Sequence, residues 1–296
     1  MKIIKKLRYL LSSFRIQQYY KNLVIFIPLI FAQDFFVVQK LERTILGFFV
    51  LCLISSANYL INDVVDYNKD RHHPEKKYRP IASGKISRAE ALLVAFVMII
   101  LSFYFSYKLS QQFTYSLMLL FFFSSAYSLW LRNEIFADII MISMNFVIRT
   151  VSGAFLINVP ISPWLIICTF FLAMFLVIGK REANLSMLKK GSSNYNLTLK
   201  EYNHNITRLI TIISLNSLII SYSLYTFLSI NKNLIITLPV SIYLLLYYFY
   251  LIEKGMPVAR NPEQIFKNIR MVIGILIWIL LVFLCLYTNF KIPLLR

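Results

Sequence analysis

The sequence predicts an all-α polytopic membrane protein of one domain, with nine transmembrane helices around a polar cavity that opens to the cytoplasm. Three observations predict it. Of 296 residues, 58% are hydrophobic and the mean hydropathy is +0.66, whereas a soluble domain is about half apolar. Apolar runs near the roughly 20 residues that a bilayer demands recur along the whole chain. The 31 lysines and arginines fall mainly in alternate loops, the pattern that orients membrane proteins.

Taken in order, the expected spans are 22–39, 44–62, 89–108, 113–131, 135–157, 162–180, 208–230, 234–252 and 271–290. Ahead of them, in residues 1–21, Ile3, Ile4, Leu7, Leu10, Leu11 and Phe14 recur at helical spacing among Lys2, Lys5, Lys6 and Arg8. That pattern predicts an amphipathic helix lying on the membrane surface. Charge breaks the apolar stretch, and no small-residue cleavage site follows, so a signal peptide is not expected. The long polar segments 63–88, 181–207 and 253–270 share one side if the spans alternate. That side then carries 24 lysines and arginines against 6 on the other, with Arg149 left inside a span. The bias places the N-terminus and these loops in the cytoplasm, the protein in the inner (cytoplasmic) membrane. It also accounts for a net charge of +18 without nucleic acid as a partner. Cys52, Cys168 and Cys285 lie in apolar runs without paired spacing and read as small core residues, not a disulfide or metal framework.

The first cluster of chemistry is "NDVVDYNKDRHHPEKKYRPIASG", from Asn62 to Gly84, directly after an apolar run. At about 100° per residue, Asp63, Asp66 and Asp70 fall on one helical face. Carboxylates crowded on one face repel unless a cation bridges them, and hard oxygen ligands with a phosphate partner suit Mg²⁺. A solvated acidic helix end, paired with Lys69 or Arg71, is the plainer alternative. His72 and His73 point apart on a helix and lack a third ligand nearby, so a loop role is expected. Lys76, Lys77, Arg79 and Lys85 follow, and Pro80 and Gly84 suit a turned loop. Lys77 and Arg79 are candidates to clamp phosphate oxygens, Arg79 in bidentate fashion.

The second cluster lies in the fifth expected span. Asp138, Asn145 and Arg149 are spaced by seven and four residues and share one face. A charged residue this deep should face the bundle interior. Asp138 and Arg149 lie about 16 Å apart along a straight helix, too far to pair, so each needs a partner elsewhere. A shared polar cavity is the economical expectation, a helix–helix tie the alternative. "GKREAN", Gly179 to Asn184, closes the sixth expected span. Lys180 and Arg181 there either anchor the interface or face the cavity.

These residues resemble the UbiA superfamily of intramembrane prenyltransferases, whose hallmark matches Asn62–Asp70. The closer resemblance is to its decaprenyl-phosphate phosphoribosyltransferase branch. "RIQQYYKNLVIFIPL", "DRHHPEKKYRPIASG", "YSLWLRNEIFADI", "FVIRTVSGAF" and "SPWLIICTFFLAMFLVIGKREANL" carry it, from about Arg15 to the last span. The resemblance implies transfer of 5-phosphoribose from phosphoribosyl pyrophosphate to a polyprenyl phosphate, with Mg²⁺ held by Asp63, Asp66 and Asp70. It implies substrate-binding roles for Asn62, Arg15, Lys21, Lys77, Arg79, Tyr127, Arg132, Asp138, Asn145, Arg149, Lys180 and Arg181. The product would feed cell-envelope glycan synthesis. Arg132 stands where the branch usually has lysine, and Asn184 where it has glutamate, with Glu182 two residues earlier. The competing reading is an aromatic prenyltransferase of the same superfamily using a polyprenyl diphosphate donor, although its second motif is typically richer in aspartate. A transporter or lipid-binding scaffold is disfavoured by the few glycines and prolines, 7 and 9, found mostly in loops or near span ends. An all-apolar exterior leaves room for a homo-oligomer.

Overall fold

The computed structural model describes residues 2–188 and 203–288, with side chains from residue 5 to 186 and from 203 to 288. Lys189, Lys190 and Lys200 of the 181–207 segment, Lys291 and Arg296 of the tail, and the Lys2, Ile3 and Ile4 side chains lie outside these limits. Among the described residues the chain is helical and contains no strand. The helices are α1 (Lys2–Ser13), α2 (Ile27–Phe31), α3 (Val38–Val65), α4 (Tyr67–Arg71), α5 (Arg88–Leu109) and α6 (Gln111–Leu129). They continue with α7 (Ala137–Ile157), α8 (Pro163–Leu188), α9 (His204–Leu228), α10 (Leu238–Glu253), α11 (Pro257–Arg260) and α12 (Ile269–Tyr287). Seven helical segments among the described residues are long and apolar enough to cross a membrane: α3, α5, α7, 163–186 of α8, α9, 232–253 and α12.

Two expected spans differ from this. Residues 22–39 are not one helix. A 3-10 segment runs from Ile16 to Phe26 and α2 follows it. Pro28 lies in the first turn of α2, where its missing N–H does no harm. Gln33 then adopts a left-handed conformation, φ 62°, and Asp34 N–H donates to the Leu29 carbonyl at 3.1 Å, the closure of a Schellman cap. The other difference is α6, a helix of 19 residues outside the seven. Its glutamines, serines and threonine offset its phenylalanines and leucines. The sixth expected span also runs on past "GKREAN" to Leu188.

The chain divides into two compact units. The first comprises 1–29, 34–130 and 148–159, and the second 30–33, 131–147 and 160–296. In the first unit α3 packs against α5, α6 and the 3-10 segment. Its core gathers Ile25, Leu51, Ile54, Phe113, Leu117 and Ile148. A Cβ built on Gly153 would stand 2.2 Å from the Ile25 carbonyl oxygen, so α7 meets the backbone of the 3-10 segment there without an intervening side chain. Local signals set the helix ends. Ser87 and Glu90 form a reciprocal capping box on α5. Asn158, φ 54°, closes α7 with Val159 N–H donating to the Ala154 carbonyl at 3.1 Å.

In the second unit α8 packs against α9, α10 and α11, and α12 against α10. Phe175, Leu215, Tyr248, Leu251, Ile252 and Met271 form its core. Large apolar side chains remain exposed along these helices, among them Leu209, Ile220, Leu246 and Leu280, as expected where lipid replaces water.

Candidate active site

The first site is built where α3 ends. Asp66 interrupts the helix, yet the backbone ladder crosses the junction: Asp66 N–H donates to the Asn62 carbonyl and Asp70 N–H to the Asp66 carbonyl, both at 2.8 Å. Asp63 and Asp70 are therefore held about two turns apart, both buried at 3% and 2% exposure. The Arg79 Nη1 donates to Asp63 Oδ1 at 3.1 Å and to Asp70 Oδ2 at 2.6 Å. Arg15 forms a second ion pair with Asp63, and its guanidinium lies 5.0 Å from the Tyr59 ring centroid. Arg15 itself has a left-handed backbone, φ 53°, at the bend between α1 and the 3-10 segment. Such a conformation is costly for a non-glycine residue and concentrates at functional sites.

Two nearly buried carboxylates thus converge on one guanidinium nitrogen. The spot is built for positive charge, and its donors are hard oxygens. The donor set fits a divalent cation such as Mg²⁺. Among the described residues no group of three or more His, Cys, Asp or Glu stands assembled at metal-binding distance. Asp66 is half-buried at the junction. The histidines serve the loop: His72 Nδ1 lies 2.8 Å from the Asn68 carbonyl, and His73 Nδ1 accepts from Glu75 and Lys76 N–H groups at 3.2 and 3.3 Å.

A polar ladder continues along α3 from this cluster into the apolar depth of the first unit. The Tyr19 hydroxyl and Ser56 Oγ share a hydrogen bond of 2.7 Å, and Ser56 donates to the Phe14 carbonyl. Further along, Asn22 Oδ1 accepts from Arg149 Nε at 2.9 Å and from Ser55 Oγ at 3.5 Å, while Asn22 Nδ2 donates to Cys52 Sγ at 3.3 Å. Asn22 and Arg149 are both buried.

The second unit holds its own acid–base cluster. Asp138 is buried and ion-paired to Arg181, and its Oδ1 caps the Ile139 N–H at 2.7 Å. Beside Arg181, Glu182 is fully buried. It accepts from Thr207 Oγ1 and lies 2.6 Å from His204 Nδ1. Asn184 is half-buried.

The structure therefore brings Arg15, Asp63, Asp70 and Arg79 together in one unit, and Asp138 and Arg181 in the other. Arg149 joins Asn22 deeper in the first unit. Asn145 is buried on α7, while Lys21, Asn62, Tyr127 and Arg132 are half-buried. Lys77 and Lys180 are exposed, and the Lys77 ammonium lies 5.2 Å from the Tyr78 ring centroid. Sequence reasoning missed Asn22, Tyr59 and Thr207. Asn22 opens an apolar run and reads there as a span boundary. The one available signal was its place within the quoted "RIQQYYKN".

The UbiA prenyltransferase family model matches residues 25–269. The chain belongs to the UbiA prenyltransferase family. It is accordingly an integral membrane protein and a transferase. Among curated relatives, the decaprenyl-phosphate phosphoribosyltransferase of Mycolicibacterium smegmatis is 27% identical over 233 residues, covering 77% of this chain and 73% of that protein. The enzyme of the same name from Mycobacterium tuberculosis is 29% identical over 190 residues, covering 64% and 63% respectively. Among solved structures, a UbiA homolog from Archaeoglobus fulgidus bound to GPP and Mg²⁺ superposes with a TM-score of 0.66 at 17% identity, covering 93% of this chain and all of that one. That likeness concerns the fold.

Proposed function

We propose that this UbiA-family enzyme transfers 5-phosphoribose from phosphoribosyl pyrophosphate to a polyprenyl phosphate, decaprenyl phosphate or a similar lipid, and releases pyrophosphate. The observation that carries this reading is the acid–base cluster of the first unit, in which Asp63 and Asp70 converge on Arg79 with Arg15 alongside. Carboxylates and guanidinium groups in one place suit a substrate that is both polyanionic and metal-bound. The two relatives named for this activity support the same choice.

In the reaction, an oxygen of the lipid phosphate bonds to C1 of the ribose as the C1–oxygen bond to pyrophosphate breaks. The lipid phosphate is already an anion at neutral pH, so the chain need not supply a strong base. Asp63, Asp66 and Asp70 would hold Mg²⁺, which when bound neutralises charge growing on the leaving pyrophosphate. Arg79 and Arg15 bind phosphate oxygens and screen them from each other. A carboxylate near the sugar stabilises the positive character that develops at C1. Arg149 and Asn22, buried in the apolar depth, provide donors to an anionic oxygen where water is scarce. Arg132, Asp138, Lys180 and Arg181 belong to the substrate-binding set in this reading, with Lys21, Asn62, Lys77, Tyr127 and Asn145. The bundle has nine passes if α6 and the broken 16–31 segment are counted with the seven. The charge bias puts the N-terminus and the aspartates on the cytoplasmic side, and the product enters cell-envelope glycan precursors.

The test uses purified protein, radiolabelled phosphoribosyl pyrophosphate and a panel of polyprenyl phosphates, with and without chelator. Label should enter the organic phase in a Mg²⁺-dependent manner. Turnover of a prenyl diphosphate with an aromatic acceptor, and no labelled lipid, would place the enzyme with the aromatic prenyltransferases instead.

A further inference from the structure

A second polar site lies at the other end of α3. A cavity of about 420 Å³ is lined by Gln39, Lys40, Glu42, Arg43, Leu46 and Ile157, all within the first unit. Between Lys40 and Asp63 the helix rises about 35 Å, more than the roughly 30 Å hydrocarbon thickness of a bilayer. The cavity therefore lies at the opposite membrane interface from the aspartates and cannot serve the transfer reaction.

Its chemistry is mixed in sign. Lys40 and Arg43, three residues apart, are neighbours on the helix surface. The Lys40 ammonium is held by the Asp34 carboxylate at 2.5 Å, which fixes its position and offsets its charge. Arg43 and Glu42 then contribute one charge of each sign at the rim, and Gln39 adds an amide. One and two turns deeper into the membrane, Leu46 and Phe49 are 53% and 58% exposed. Polar rim and apolar strip together describe a molecule with a charged head and a hydrocarbon tail. A head with phosphate alone would leave Glu42 facing an anion. A quaternary ammonium has no N–H for Glu42 or Gln39 to accept.

We propose that this cavity binds the headgroup of phosphatidylethanolamine. The phosphate meets Arg43, the primary ammonium meets Glu42, and an acyl chain follows Leu46 and Phe49. The site is a lipid-recognition device of the kind membrane proteins build at their interfaces, and it is independent of the catalytic reading.

The experiment is native mass spectrometry of the full-length protein with an equimolar mixture of phosphatidylethanolamine, phosphatidylcholine and phosphatidylglycerol carrying the same acyl chains. The wild-type chain should retain phosphatidylethanolamine over the other two by about fivefold, the scale of one interfacial ion pair. Glu42→Gln should erase the preference over phosphatidylcholine, and Arg43→Gln should lower retention of all three lipids. Glu42→Asp and Arg43→Lys keep the charges and should keep the selectivity, which separates recognition from misfolding. Equal retention of the three lipids by the wild-type chain, preference for phosphatidylglycerol, or selectivity unchanged by both charge-removing variants would overturn the proposal.

Discussion

Arg79 is the residue on which the first site turns. It faces Asp63 and Asp70 at once, and both carboxylates are shielded from solvent. Removing one partner of such a cluster strands the other charges, which costs more than the pair contributes when intact. Arg79→Ala should therefore lower stability by about 3 kcal/mol, read as a drop in melting temperature in detergent. The double variant Arg79→Ala with Asp70→Asn should recover part of that loss, because one stranded charge is gone. Asp66 behaves differently. It is half-buried at a helix junction, so Asp66→Asn should leave the unfolding free energy within about 1 kcal/mol of wild type. The same variant should abolish labelled-lipid formation if the carboxylate is a metal ligand. Wild-type turnover would remove Asp66 from the metal set. The spacing of the three aspartates was readable from the sequence. That Arg79 and Arg15 would close on them was not, because 16 and 48 residues separate those arginines from Asp63.

At the scale of elements, the segment from Ile16 to Phe31 shows where periodicity falls short. Residues 22–39 are apolar enough to be expected as one span, yet a 3-10 segment runs to Phe26, α2 begins at Ile27 with Pro28 in its first turn, and the left-handed Gln33 closes α2 after Phe31. Breaking the helix lets the 3-10 segment lie against both α3 and α7, and it carries Tyr19 and Asn22 to their partners. Gly153 permits this approach. Gly153→Ala would drive a Cβ into the Ile25 backbone carbonyl at 2.2 Å, whereas at Gly47 the new Cβ would meet the end of the Leu156 side chain at 2.4 Å. A side chain can rotate away and a backbone carbonyl cannot. Gly153→Ala should therefore cost about 3 kcal/mol and Gly47→Ala nearer 1 kcal/mol, measurable as two distinct shifts in thermal unfolding. Equal shifts would show that the α7 contact is more yielding than its geometry implies.

At the scale of the whole molecule, the charge distribution predicts the orientation. Cys52, Cys168 and Cys285 are buried, so single cysteines introduced at exposed positions give a clean readout with a membrane-impermeant maleimide. Cysteine at Gln39 should label in intact cells, and cysteine at Lys77 should label after the inner membrane is opened. The reverse pattern would invert the topology and move the aspartates to the outer face. These two positions lie at opposite ends of α3 and its loop, so one helix reports the orientation of the first unit.

Composition and charge placement by themselves determined that this chain is a helical membrane protein, because the cost of dehydrating backbone and charge in lipid leaves few other solutions for such a sequence. Local spacing picked out the candidate site residues, since a carboxylate or guanidinium in an apolar run is costly and calls for a partner. Tertiary structure decided the partners. Asp138 has Arg181, Arg149 has Asn22, and Glu182 has Thr207 and His204. Each of these depends on contacts between residues distant in the chain, and a one-dimensional pattern does not encode which distant residue will arrive.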